Sequence, residues 1–373
     1  MKRLLIFACQ YLPMIGGMER QIEFIATEFG QKGWSVDILT PRRIFTAPRR
    51  EQQDNVQVIR FFSLPVRKLQ GLSELVGMFC FLLFGGFRQY RVVHCHNLSR
   101  LALVLLRRAV KREKCAILTL HSHPQIPQKD GKTYRRLLAL KDDLKVIAVS
   151  EEVYQTFRRA FPGWKNLSLV DNGINLTRFS ITTEQERTAW RKELNISEDS
   201  VVAAYVGRLS GEKGIDMLLR AVARVMENPE VYVLIAGGGP LTAEVAAFAE
   251  QYERVKYLGV LNDVTSVYRA ADLYLLPSYR EGMPVALIEA MATGLGSVVT
   301  ATKGSSAVID SGVNGVIVPI GDDKAFADAI CIAAGNRSLL KEWGRNSAEK
   351  SRSNWSGEKE VAALEALYEH GIE

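Results

Sequence analysis

Val201-Val202-Ala203-Ala204-Tyr205-Val206 runs directly into Gly207-Arg208-Leu209-Ser210-Gly211-Glu212-Lys213-Gly214, and an amphipathic stretch follows near 214–227. A β-favouring run, a glycine-bounded loop and a helical pattern make one strand–loop–helix step of a parallel sheet. The step repeats in both directions. Downstream, strands are expected at 231–236, 256–258, 273–277, 297–301 and 315–318, with helices near 241–251, 263–270, 284–293, 305–311 and 322–334. Upstream, strands are expected at 3–9, 35–40, 56–61, 92–96, 116–121, 144–149 and 167–170. Helices fill the gaps there: 18–30 carries an apolar stripe at Ile22, Ile25, Ala26 and Phe29, and 151–161 starts behind Ser150, a good N-cap. Such alternation gives doubly wound parallel α/β sheets. The polar residues 175–199 separate the two sets, with a hinge expected near 172–180. At roughly 150 residues per domain, two domains are what the length suggests.

The composition excludes several classes. Hydrophobic residues make up 47% and charged residues 24% of the 373, as in an ordinary globular enzyme, so disordered, collagen-like and coiled-coil chains are excluded. Cys9, Cys80, Cys95, Cys115 and Cys331 contain no Cys-x-x-Cys pair, which argues against a disulfide scaffold or zinc site and fits a reducing compartment. The net charge of +7 is unevenly placed: residues 1–175 hold 28 Lys and Arg against 14 Asp and Glu, and residues 176–373 hold 20 against 27. A basic first half suits an anionic membrane surface, a nucleic acid or an anionic substrate. Lys2-Arg3 and the apolar residues 4–9 look like the start of a signal peptide, but the run is too short and no small-residue cleavage site follows. A buried first strand is the better reading. The most apolar stretch, 72–87, falls below the roughly 18–20 residues that span a bilayer and reads as a buried helix.

Ligands of open parallel sheets bind beyond the carboxyl ends of the strands, and the motifs sit there. Gly16-Gly17-Met18-Glu19-Arg20 lies between the first strand and first helix, where two glycines let a phosphate approach the backbone and a helix N-terminus. In 207–214, Arg208 and Lys213 can converge on a diphosphate across the glycine-bounded loop; the order of a Walker A motif is absent. Gly237-Gly238-Gly239-Pro240 marks a tight strand-to-helix turn that could admit a base or ribose. The sharpest signal is the stretch 278–292. Pro284 suits the first helical position, so Glu281 lies just before the helix, and the N–H groups around Gly282, Met283, Pro284 and Val285 face outward. A sugar fits there, with the Glu281 carboxylate on its hydroxyls. Glu289 is a carboxylate on an otherwise apolar helix and needs a partner, which a ribose diol would supply.

On these motifs the sequence resembles the retaining, nucleotide-sugar-dependent glycosyltransferases of family 4. Further marks are Val93-His94-Cys95-His96-Asn97, Thr119-Leu120-His121, Ala148-Val149-Ser150, Asp171-Asn172-Gly173-Ile174-Asn175, Gly294 and Asn314-Gly315. Glu281 and Glu289, with seven residues between, are the most specific of them. The resemblance implies a GT-B fold: two Rossmann-like domains facing across a cleft, an acceptor domain at 1–174, a nucleotide-sugar donor domain at 175–354, and a crossover helix at 355–373 returning to the first domain. It implies that Arg208 and Lys213 bind the donor diphosphate, Glu281 the sugar and Glu289 the ribose. Gly16 and Gly17 approach the phosphate, and His121 lies beside the transferred sugar. Two departures stand out. Lys303-Gly304-Ser305-Ser306-Ala307 replaces the family's frequent Gly-Gly-x-x-Glu, and Gly296-Ser297 replaces a proline after the Gly294 turn.

No metal and no cofactor are expected. His94/His96 and His121/His123 form pairs without a matching acidic or thiolate set, and Asp-x-Asp is missing. Arg208, Lys213 and helix N-termini would then neutralise the leaving diphosphate. Retention implies front-face displacement, with the leaving phosphate oxygen taking the acceptor proton and His121 positioning the sugar. The expected reaction is transfer of a hexosyl group from a UDP- or GDP-sugar to a lipid-linked or cell-envelope glycan, as in polysaccharide biosynthesis. The alternatives are a soluble small acceptor and a non-catalytic nucleotide-sugar-binding protein. Nucleic acid is not an expected partner, and no module for it appears. Arg42-Arg43, Arg49-Arg50, Arg67-Lys68, Arg107-Arg108, Lys111-Arg112 and Lys114 point to an anionic leaflet, with Ile44 and Phe45 inserting shallowly. The expected place is cytoplasmic, peripheral on the inner face of the membrane.

Overall fold

The computed structural model describes residues 2–13, 16–64, 66–84, 86–121 and 131–369. Two compact units divide the chain: Met1–Gly173 with Glu358–Glu373, and Ile174–Gly357. Each is built on its own sheet.

The first sheet contains β1 (Arg3–Ala8), β2 (Ser35–Pro41), β3 (Arg50–Gln53), β4 (Val56–Phe61), β5 (Val92–His96), β6 (Cys115–Leu120), β7 (Leu144–Ala148) and β8 (Leu167–Leu169), in the order β3-β4-β2-β1-β5-β6-β7-β8. All neighbours are parallel except β3 and β4, which pair antiparallel. β3 lies outside the expected strands, because Arg50-Glu51-Gln52-Gln53 has no apolar alternation and all four residues are exposed. The central strands β1, β5 and β6 are buried along almost their whole length, as sheets covered on both faces require. The helices are α1 (Gly17–Gln31), α2 (Arg67–Phe84), α3 (Arg100–Val110), α4 (Lys132–Leu138) and α5 (Glu151–Ala160). Ser99 and Ser150 cap α3 and α5 with their side chains. The last helix of the chain, Gly357–Glu369, packs Val361, Leu364 and Tyr368 into this unit's core beside Phe29 and Trp34. Lys145 Nζ also donates to its Leu367 carbonyl.

α2 corrects the expectation of a buried helix. Ser73, Glu74, Gly77, Met78 and Phe81 face inward, while Leu72, Val76, Phe79 and Leu83 are exposed. Glu74 decides this orientation: it accepts from Arg43 Nε at 2.9 Å, Gln70 Nε2 at 3.0 Å and Ser63 Oγ at 3.1 Å. Length and hydropathy do not reveal which face a charged anchor holds inward. Among the described residues, no helix is long and apolar enough to cross a membrane.

The second sheet contains β9 (Val201–Val206), β10 (Val231–Ala236), β11 (Val255–Gly259), β12 (Leu273–Leu276), β13 (Gly296–Thr300) and β14 (Gly315–Val318), in the order β11-β10-β9-β12-β13-β14, all parallel. The strand order reverses beside β9, so the crevice at the carboxyl ends of β9 and β12 is the switch point where ligands bind in such sheets. Its helices are α6 (Glu184–Glu193), α7 (Ile215–Val225), α8 (Thr242–Ala249), α9 (Thr265–Ala270), α10 (Val285–Ala292), α11 (Lys303–Val308), α12 (Asp323–Ala334) and α13 (Arg337–Asn354). α6 falls in the segment read only as a polar separator. Its capping box, Thr183 with Glu186, starts it. Its anchor is the buried Arg191, which meets Asp272 at 2.6 Å.

Candidate active site

The loop after β9 is set by close backbone contacts. Gly214 has φ +67°, and a Cβ there would lie 2.0 Å from the Pro277 carbonyl oxygen, so only glycine lets this loop reach the end of β12. A Cβ on Gly237 would lie 1.8 Å from the Gly207 carbonyl oxygen, and its φ is +141°. The triple glycine thus packs the β10 loop onto the β9 loop, a backbone role beside the base or ribose contact expected of it. Two buried tyrosines, Tyr205 and Tyr274, and the half-buried Tyr257 fasten the same loops. Tyr205 Oη donates to the Arg208 carbonyl at 2.9 Å, Tyr274 Oη to that of Val206 at 3.0 Å, and Tyr257 Oη to that of Gly237 at 3.0 Å.

Lys213 and Glu281 meet at the switch point. Lys213 Nζ donates to Glu281 Oε1 at 2.8 Å and Oε2 at 2.9 Å, and Ser278 Oγ donates to Oε1 at 2.6 Å. Only 5% of the Glu281 side chain is exposed. Arg208 is exposed, and its guanidinium has no partner among the described residues. Ser210 Oγ is buried without a partner among the described residues. This one short loop therefore presents a paired cation, an unpaired cation and an unsatisfied hydroxyl, a set suited to phosphate oxygens.

α10 starts at Val285, one residue later than expected, with Pro284 as its N-cap. The Val285 N–H turns back onto the Met283 carbonyl at 3.0 Å and Pro284 has none, so the outward donors are the N–H groups of Gly282, Met283 and Ala286, which have no acceptor among the described residues. Glu289 is half-buried, and its Oε2 accepts from Tyr268 Oη at 3.1 Å; Tyr268 Oη also lies 3.2 Å from the Ala286 carbonyl. A Cβ on Gly304 would lie 2.5 Å from the Gly282 carbonyl oxygen, so α11 presses its first turn against the Glu281–Gly282 loop.

Gly16, Gly17 and His121 belong to the first unit. Gly16 is the N-cap of α1 and Gly17 its first residue. The Glu19 carboxylate curls back so far that a Cβ on Gly16 would lie 2.4 Å from it, and burial raises its pKa. A phosphate at this helix N-terminus would meet that carboxylate. His121 follows β6. Its Nε2 is 3.0 Å from His96 Nδ1, and its backbone N–H donates to Asn97 Oδ1 at 3.3 Å. Asn97 has φ +69°, a left-handed conformation that asparagine tolerates better than most side chains, and its Nδ2 reaches Met18 Sδ at 3.0 Å. It thereby ties His121 to the glycine loop. His94 bonds Tyr368 Oη at 2.8 Å and Thr119 Oγ1 at 2.7 Å. Burial lowers the pKa of His94 to about 3 and of His121 to about 4, and that of His96 well below its ordinary value. All three rings are neutral at physiological pH. His123 lies outside the described residues.

Ser278, Ser210 and the tyrosine pins were not singled out from the sequence. Tyr205 and Tyr274 were legible as the phenols within otherwise aliphatic strands, whereas nothing marked Ser278 as a partner of Glu281.

Residues 15–178 match Glycosyltransferase Family 4, and residues 186–350 match Glycosyl transferases group 1. The chain is 27% identical to a D-inositol 3-phosphate glycosyltransferase of Corynebacterium kroppenstedtii, covering 96% of this chain and 86% of that one. It is 22% identical to the UDP-Gal:alpha-D-GlcNAc-diphosphoundecaprenol alpha-1,3-galactosyltransferase of Escherichia coli, covering 96% and 95%. Anabaena HepE in complex with UDP and glucose superposes with a TM-score of 0.80 at 19% identity, covering 99% of this chain and 100% of that one. With two parallel α/β units and family matches that run through both, the chain belongs to the family 4 glycosyltransferases and has their GT-B fold.

Proposed function

We propose that this glycosyltransferase moves a hexosyl group, with retention, from a UDP- or GDP-sugar to a lipid-linked or cell-envelope glycan. The observation that carries the donor side is the Lys213–Glu281–Ser278 cluster beside the open N–H groups of Gly282 and Met283. Lys213 and Arg208 take the diphosphate, Glu281 the sugar hydroxyls and Glu289 the ribose. HepE has been solved in complex with UDP and with UDP-glucose, which supports a nucleotide-sugar donor. The Escherichia coli relative, named for a diphosphoundecaprenol acceptor, supports a lipid-linked one. By the resemblance, His121 sits beside the transferred sugar. As a neutral imidazole it positions and polarises, while the leaving phosphate oxygen takes the acceptor proton. The charge on that phosphate is met by Arg208 and Lys213, so turnover requires no divalent metal. The enzyme works at the inner face of the cytoplasmic membrane.

The inositol phosphate relatives favour a second reading, a small soluble acceptor. A thermal-shift screen of UDP-, GDP- and ADP-sugars, followed by product analysis with lipid diphosphate sugars and with inositol phosphate, separates the two. Product with the soluble acceptor alone overturns the first. Turnover is expected to survive excess chelator; loss that manganese or magnesium restores would overturn metal independence.

A further inference from the structure

The outward face of α2 is apolar along its whole length. Leu69, Leu72, Val76, Phe79 and Leu83 follow one another at spacings of three and four residues, which places them in a single stripe. Leu72 is 64% exposed, Phe79 61% and Phe84 85%. Phe62 and Val66, just before the helix, are exposed as well. Isolated exposed hydrophobic residues need no explanation, but a continuous stripe does. This one is held outward. Glu74 is anchored on the inner side by Arg43, Ser63 and Gln70, and a Cβ on Gly77 would lie 2.7 Å from the Phe62 carbonyl oxygen. Rolling the helix to bury the stripe would break that buried ion pair and open that contact.

We infer that α2 is an in-plane docking helix for an anionic bilayer surface. This deepens the membrane-linked reading above and rests on it. Charge complementarity selects the occupant. Between Arg42 and Lys114 the chain holds fifteen Lys and Arg against four Asp and Glu. The single acid of α2 is Glu74, which is buried and paired. Lys68 on the helix and Arg88 just beyond it are exposed. A second copy laid stripe to stripe would bring two cationic rims together with no acid on α2 to offset them. A phospholipid headgroup layer accepts the cations while the acyl boundary takes the leucines and phenylalanines. The 18-residue helix is about 27 Å long at 1.5 Å per residue, and its inner face is held by protein, so it lies in the interface and does not span it.

The test is co-sedimentation of the full chain with phosphatidylcholine vesicles, with and without half phosphatidylglycerol, at low and high salt. The parent chain binds the anionic vesicles, and binding falls with salt. Leu72→Ser/Phe79→Ser lowers the partition coefficient at least about tenfold, and Lys68→Glu/Arg88→Glu abolishes the preference for anionic vesicles. Both pairs lie on exposed positions, so circular dichroism melting and the donor-induced thermal shift remain those of the parent. If the parent binds vesicles and the serine pair binds equally well, docking uses another surface and the inference fails while the membrane reading stands. If the parent binds no vesicles, the reading beneath it fails too. If the parent is a dimer that the serine pair makes monomeric, the stripe is a protein interface and the inference is overturned.

Discussion

Lys213 and Glu281 are proposed to hold different parts of one donor, and they also hold each other. The ion pair keeps the ammonium over the loop and leaves it one further N–H for a phosphate oxygen. Lys213→Ala is expected to weaken UDP- or GDP-sugar binding by about thirtyfold or more, the equivalent of about 2–4 kcal/mol for a lost charge-assisted contact. Titration calorimetry that finds parental affinity would remove Lys213 from the donor site. Gly214→Ala makes a different test. It introduces no charge change, but it forces a Cβ onto the Pro277 carbonyl at a positive φ. Its expected signature is a lower melting temperature together with lost donor binding; a variant as stable as the parent would show that the loop relaxes freely. The sequence made the members of this site legible because glycines and Pro284 punctuate it. It did not reveal their pairing, because Lys213 and Glu281 are 68 residues apart. Nor did it reveal Ser210 or Ser278, since serine is commonplace in loops.

Elements became legible where burial is apolar and periodic, and stayed hidden where it is not. The strands of the second sheet were expected because five of the six are built on aliphatic runs, and α7 because its apolar stripe is clean. α13 was not expected. Its buried face is Leu340, Trp343, Gly344, Ser347, Ala348 and Ser351, mostly small residues, so hydropathy shows no stripe. What fixes α13 is closeness: a Cβ on Gly344 would lie 2.1 Å from the Gly294 carbonyl oxygen, and one on Gly296 would lie 2.7 Å from Trp343 Cβ. Gly344→Ala therefore sets two effects against each other. Helix propensity favours alanine by up to about 1 kcal/mol, while overpacking against backbone costs about 1–3 kcal/mol. The clash is with a carbonyl that cannot rotate away, so net destabilisation is expected. A melting temperature at or above that of the parent would show that α13 shifts at no cost. α2 is the converse case: its apolar pattern was read correctly as helical and wrongly as buried, since hydropathy cannot show that Glu74 faces inward.

At the scale of the whole molecule, the two units respond differently to pH. The first unit encloses His94, His96 and His121 as neutral rings, and beside the first two rings lies Glu360 of the last helix, which with Asn172 lines the same small cavity. Glu360 accepts from Gly173 N–H at 2.9 Å and from Gln21, yet burial still raises its pKa to about 8. Linkage gives the signs. Below pH 6.5 the unfolded chain protonates its histidines while the folded unit keeps them neutral down to about 4 or lower, so acid destabilises this unit. Glu360 acts in the opposite sense. The unfolded chain releases this proton near 4.5 and the folded unit retains it to about 8, so its contribution is complete below 4.5 and is lost as the pH rises towards 8. Above 6.5 the contribution of the histidines is complete and adds no slope, and Glu360, which holds its proton to about 8, slopes the curve downward, by at most about 1.4 kcal/mol per pH unit. In the second unit the shifted carboxylates, Glu186, Asp263 and Asp323, move downward, hydrogen-bonded on or near the surface, and they weaken only in acid. Hydrogen exchange of β1 and β5 is therefore expected to quicken between pH 6.5 and 8, after correction for the intrinsic rate, while that of β9 and β12 does not. Glu360→Gln keeps the shape and removes the proton, so it should flatten the alkaline slope of the first unit alone. An unchanged slope in that variant would place the ionised carboxylate in the folded core and make Gln21 and Gly173 its sufficient partners.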